Sequence, residues 1–239
     1  MKTLLRFLCG VSLFVALSFA AYSQDKRNER RAAQPAATPQ VDSLKEEPPD
    51  DGLRYAYEFS QPDFVVSHIV IQHDSLGRGT ITFVQRTETP IVEPLQLSSA
   101  ARTKIFGLWR ELRFLDSDEN YQAAKNFAHL GTYKLIMGDL KRKRTAEYNW
   151  SDNKTVWALT AEYRKAADQA ILVFNIKLAR EMQPLNAPGL MNELESMVTR
   201  NEVSDLQQLI ALLTELKTDE HIPLIARNHA DRILKKIEK

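Results

Sequence analysis

Five histidines hold most of the reactive potential of this 239-residue chain. His73 stands beside Asp74, and a carboxylate next to an imidazole is the pairing that orients a general base. Neighbouring residues of a strand point to opposite faces, however, and an aspartate at a turn commonly bonds its own backbone instead. No Gly-x-Ser-x-Gly elbow accompanies the pair. His129, just ahead of Leu130-Gly131, is the histidine placed to complete such a site if two hairpin ends converge. His73, Asp74 and His129 are thus the candidate catalytic set of a hydrolase-type enzyme. His68 lies five residues from His73 and belongs to the other face of the same strand, so the two are not joint ligands. His229 falls on an apolar helical stripe between Ala226 and Ile233, the position of a hydrogen-bonded core residue. There is no His-x-His, no His-Glu-x-x-His and no acidic loop with calcium spacing, so no metal and no cofactor is expected.

Lys141, Arg142, Lys143 and Arg144 form the densest positive run outside the N-terminal region. Such a run suits contact with an anionic partner, whether phosphate, lipid head groups or an acidic protein. The alternative is a solvated hairpin tip whose charges discourage edge pairing. No aromatic residues interleave with it for stacking bases, so nucleic acid is not an expected partner. Gly77-Arg78-Gly79 is too short for a phosphate loop and has no helix after it. Asn149-Trp150-Ser151 and Asn153-Lys154-Thr155 fit the glycosylation pattern, which matters only in a eukaryotic host.

These residues need elements to position them. Leu53, Tyr55, Tyr57 and Phe59 alternate with Arg54, Ala56 and Glu58, the period of a half-buried strand. Phe64 to His73 reads as a second strand and Thr80 to Arg86 as a third, with a hairpin turn at Asp74–Gly79. Ile105, Leu108, Trp109, Leu112 and Leu115 recur at helical spacing, with Ser98 or Ser99 as cap. Tyr133, Leu135 and Met137 alternate in one strand and Ala146, Tyr148 and Trp150 in the next, joined through Gly138–Arg144. Asn153 to Glu181 reads as a long helix capped by Asp152 or Asn153. After the break at Gln183–Pro188 everything is helical, with a capping box at Ser204 and Gln207 and Pro223 opening the last helix. The fold class expected is α+β: a five-stranded antiparallel sheet in the order β-β-β-α-β-β-α, packed by two helices, then a three-helix C-terminal bundle. Trp109, Trp150, Tyr148 and Phe174 all fall on core stripes.

The N-terminus reads as an address. Lys2 and Arg6 precede an uncharged apolar run from Phe7 to Ala21, and small residues sit at cleavage spacing up to Ser23. Fifteen residues fall short of the roughly 20 of a spanning helix, so the membrane is a partner only through an uncleaved signal. Removing residues 1–23 takes away two cations and no acid, moving the formal charge from +1 to −1, and removes Cys9, the sole cysteine. Residues 24–52 hold Pro35, Pro39, Pro48 and Pro49 and few large apolar side chains, the composition of a disordered linker. The organisation expected is a signal peptide at 1–23, a linker at 24–52, an α+β domain at 53–183 and a helical subdomain at 184–239. Hydrophobic residues at 44% suffice for a core without disulfides.

Tyr57-Glu58-Phe59, His73-Asp74 with Gly77, Gly79, Ile81, Thr82 and Phe83, Phe114-Leu115-Asp116, His129-Leu130-Gly131-Thr132 and Tyr148-Asn149-Trp150 together resemble a family of exported bacterial proteins of unknown function, from about Leu53 to the C-terminus. The resemblance implies an exported, two-part layout and transfers no activity. The functional expectation is a non-enzymatic protein- or peptide-binding module of the cell envelope, periplasmic or secreted, with an envelope or secreted protein as partner. The alternatives are the hydrolase-type enzyme at His73, Asp74 and His129 and, by fold analogy, an inhibitor or folding helper.

Overall fold

The computed structural model describes residues 51–85 and 89–238. The signal peptide, Cys9, most of the linker and Arg86 lie outside these residues. Among the described residues the fold is α+β, with a six-stranded sheet and five helices. The strands are β1 (Arg54–Ser60), β2 (Val66–Asp74), β3 (Arg78–Gln85), β4 (Ile91–Gln96), β5 (Thr132–Gly138) and β6 (Lys143–Tyr148), and the helices are α1 (Ser99–Glu111), α2 (Lys154–Met182), α3 (Ala187–Thr199), α4 (Ile210–Thr218) and α5 (Leu224–Ile237). The sheet order is β4-β3-β2-β1-β5-β6 and every pair is antiparallel.

The expected count of five strands is corrected by β4. Pro94 stands within it, and proline cannot donate to a ladder, which weakens the strand signal of this segment. It is an outer strand, where proline is tolerated, and it pairs with β3 from Phe83↔Ile91 to Arg78↔Gln96. The second hairpin is also tighter than expected, because β6 begins at Lys143 rather than after Arg144.

Alternation fixes which face is covered. Tyr55, Tyr57 and Phe59 of β1, Ile69, Ile71 and His73 of β2, Ile81 and Phe83 of β3, and Tyr133, Leu135, Ala146 and Tyr148 of the second hairpin are buried. They form one core with Ile105 and Trp109 of α1 and Val156, Leu159 and Tyr163 of α2. Each buried aliphatic or aromatic side chain here contributes about 1.5–3 kcal/mol of hydrophobic stabilisation. The opposite face carries Arg54, Ala56 and Glu58, Val70 and Gln72, Thr80 and Thr82, Lys134 and Ile136, and no element covers it among the described residues. Across it Glu58 accepts a hydrogen bond from His68 at 3.1 Å and pairs with Lys134 at 3.6 Å, and Lys134 pairs with Glu147 at 3.6 Å.

Helix ends follow local chemistry. Ser98 caps α1 by accepting the Ala101 N–H, and the Asn153 side chain accepts two N–H groups at the start of α2. The capping box at Ser204 does not form; the Asp205 carboxylate accepts the Gln207 N–H, and a 3₁₀ turn leads into α4. A second apolar core joins Leu172 and Ile176 of α2 to Met191, Leu194, Leu213, Leu216, Ala226 and Ile233 of α3, α4 and α5. Between α3 and α5 the Glu195 carboxylate takes hydrogen bonds from His229, Arg232 and Lys236. Arg232 foremost holds its carboxyl down at about 2, with His229 and Lys236 adding to the effect against the cost of partial burial.

Candidate functional site

His73 lies in β2 with its side chain on the covered face, only 3% exposed, stacked on Tyr55 at 5.2 Å. Its Nδ1 is 2.7 Å from the Asp74 carbonyl oxygen. A carbonyl only accepts, so Nδ1 carries the proton and Nε2 is the acceptor. The Tyr163 hydroxyl, 2.7 Å away, therefore donates to Nε2, and the Trp109 indole N–H donates to the same hydroxyl oxygen at 3.0 Å. Both imidazole nitrogens are engaged in a chain running Trp109 to Tyr163 to His73 to backbone. Burial lowers the His73 pKa, against the opposing effect of Asp74, and raises that of Tyr163 well above the phenol range. The neutral imidazole is thus a fixed part of the core and has no free nitrogen to offer a substrate.

Asp74 points the other way. Its carboxylate accepts the N–H groups of Leu76 and Arg78, at 2.9 and 2.8 Å, and the Arg78 side chain at 3.2 Å. Partial burial would raise its pKa, but the Arg78 and Leu76 hydrogen bonds outweigh that and lower it. His129 is exposed, in a 3₁₀ turn (Ala128–Leu130), and its carbonyl accepts from Gln61 at 2.7 Å. His73 pairs with Tyr55, near one end of β1, whereas Gln61 follows the other end. Five residues of strand span about 17 Å, so the structure does not bring His73, Asp74 and His129 together. The three sit on a buried face, a turn and a distant loop.

The basic run is divided by the β6 alternation. Arg142 binds Asp116 at 2.6 Å and Asp139 at 3.5 Å. Arg144 turns to the covered side, over the Phe114 ring at 4.4 Å and the Tyr121 ring at 5.2 Å, and donates to the carbonyls of Phe114 and Glu119. It ties the segment after α1 to the sheet. Lys141 and Lys143 are exposed, and neither forms an ion pair among the described residues.

A depression of about 370 Å³ opens beside Lys143, at the Arg54 end of the uncovered face. Ala56 pairs with Ile136 and Arg54 with Gly138. The short side chain of Ala56 and the missing one of Gly138 leave a hollow, with Ile136 beside it, Arg54, Gln72 and Lys143 around it, and Gly52, Tyr55 and His73 at the strand ends also in its lining. Asp139 is the only acid lining it among the described residues, and its carboxylate is turned into its own turn, accepting the Lys141 and Arg142 N–H groups at 2.7 Å. Sequence reasoning missed Ala56, Ile136 and Gly138; the one signal was a small residue on the outward side of β1.

Both glycosylation-pattern asparagines are engaged: Asn149 accepts the Phe127 N–H and donates to Asn126, and Asn153 caps α2 and donates to Glu119. Among the described residues no group of three or more His, Cys, Asp or Glu is placed to hold a metal ion, and no helix is long and apolar enough to cross a membrane. No protein-family model matches the chain, and no curated protein matches it.

Proposed function

We propose that this chain is an exported, non-enzymatic binding module that receives a protein or peptide on the uncovered face of its sheet. The observation that carries this reading is the asymmetry of the sheet. One face is packed by α1 and α2 and absorbs His73, Tyr163 and Trp109, while the other presents a hollow, apolar positions and Lys143, which forms no ion pair among the described residues. An antiparallel sheet can leave one face to solvent, and a hollow with a few polar groups around it on such a face is a place for a ligand. Export rests on Lys2, Arg6 and the Phe7–Ala21 run.

Panning a displayed random-peptide library against the protein tests the first part. Enriched peptides should bind the wild type and lose at least tenfold with Ile136→Arg, but not with Lys165→Glu on α2. Enrichment of nothing, or equal binding by both variants, rejects the reading. For export, residues 1–30 fused to a reporter that is active only outside the cytoplasm should give active reporter and a new N-terminus near Gln24.

A further inference from the structure

We propose that the hollow at Ala56 and Gly138 selects an acidic segment of the bound peptide, an inference that rests on the peptide-binding reading above. The apolar floor of Ala56 and Ile136 suits a small aliphatic residue, and the rim decides the charge of what lies next to it. Lys143 stands on that rim, exposed and without an ion pair among the described residues, and Lys141 lies two residues before it in the same hairpin. Asp139, the one carboxylate of the lining among the described residues, takes hydrogen bonds from two backbone N–H groups and lies 3.5 Å from Arg142, and no ion pair joins it to Lys143. Positive rim and apolar floor together match a carboxylate flanked by Ala or Val. The volume, about 370 Å³, lies at the small end of the roughly 300–1,000 Å³ range of ligand sites. It accommodates a residue or two, with the rest of the peptide running over the sheet face. Complementary charge of this sort fixes register and speeds encounter.

The test uses the full chain and three fluorescein-labelled peptides of one length, Ala-Val-Glu-Glu-Val-Ala, its Gln-Gln counterpart and its Lys-Lys counterpart, in fluorescence anisotropy at low and high salt. The acidic peptide should bind at least tenfold tighter than the Gln peptide at low salt, with the margin shrinking at high salt. Lys143→Glu should remove the margin, and Ala56→Arg, which fills the hollow, should abolish binding; thermal melts confirm that each variant folds. If the acidic and Gln peptides bind equally and Ile136→Arg weakens both, the acid selection is wrong while the peptide-binding reading stands. If no peptide binds, both are wrong. If the acidic peptide binds only after Glu46→Lys, Glu47→Lys and Asp50→Lys, the occupant is the chain's own acidic segment, and an external partner is rejected.

Discussion

Tyr163 and Tyr57 are stacked at 5.2 Å with their rings 9° from parallel, and both are fully buried, yet the same change to phenylalanine should affect them in opposite ways. Tyr163→Phe keeps the ring and the stacking but strips partners from two buried groups, His73 Nε2 and the Trp109 N–H. Each orphaned group costs about 1–3 kcal/mol, and the removed hydroxyl leaves too little space for a water with several polar partners. About 3 kcal/mol should be lost, or roughly 6–12 °C in Tm for a chain of this size. The Tyr57 hydroxyl has no hydrogen-bond partner among the described residues, so Tyr57→Phe removes only an uncompensated polar group and should be neutral or stabilise by about 1 kcal/mol. Urea unfolding of the two variants and the wild type, monitored by tryptophan fluorescence and far-UV circular dichroism, gives both numbers. Nitrogen NMR should show the His73 proton on Nδ1 in the wild type. A Tyr163→Phe loss under 1 kcal/mol, or a Tyr57→Phe loss as large as that of Tyr163→Phe, would refute the hydrogen-bond assignment.

The same chain sets a pH dependence. The His73 pKa is lower in the folded protein than in the unfolded chain, so the unfolded state takes up the proton first. The contribution of neutral His73 is complete above about pH 6.5 and declines as the pH falls below it; urea midpoints from pH 7.5 to 5 should show the decline, and His73→Phe should lessen it. Glu195, depressed to about 2, contributes stability above its ordinary value of 4.5 that is lost as the pH falls towards 2, and Glu195→Gln should flatten acid unfolding in that window. Arg144→Lys keeps the charge but not the planar fork over Phe114; a loss of about 1–2 kcal/mol and faster hydrogen exchange around 114–121 should follow. Gly79→Ala would set a Cβ 1.8 Å from the Gln72 carbonyl oxygen, so the β2–β3 hairpin should lose more than about 3 kcal/mol, measurable by the urea midpoint.

Residue periodicity made the covered face of the sheet legible, because Tyr55, Tyr57, Phe59, Ile81 and Phe83 keep a strict period of two. β4 escaped because Pro94 resembles a breaker until a neighbouring strand is known to lie on one side only. The contacts that decide the site were illegible for a different reason. His73 meets Tyr163 across 90 positions, and Arg144 meets Phe114 across 30; both depend on strand register and on where α2 lies. The hollow depends on Gly138 lying opposite Arg54 and Ala56 opposite Ile136, a pairing no local pattern encodes. Asp74 was different, since its bonds reach only two to four residues along the chain, a range that turn chemistry covers.

α2 runs for 29 residues and serves both apolar cores, with Tyr163, Ala167 and Ile171 in the first and Leu172 and Ile176 in the second. Adjacent residues Ile171 and Leu172 therefore belong to different cores, with no chain break between them. A single rigid rod that is half sheet cover and half bundle member makes the two parts thermodynamically interdependent. The C-terminal helices cannot melt without baring Leu172 and Ile176, which withdraws support from the same helix that holds Tyr163 against His73. One cooperative transition follows, rather than two, and a load that tilts the rod at its α3 end is felt beneath the sheet.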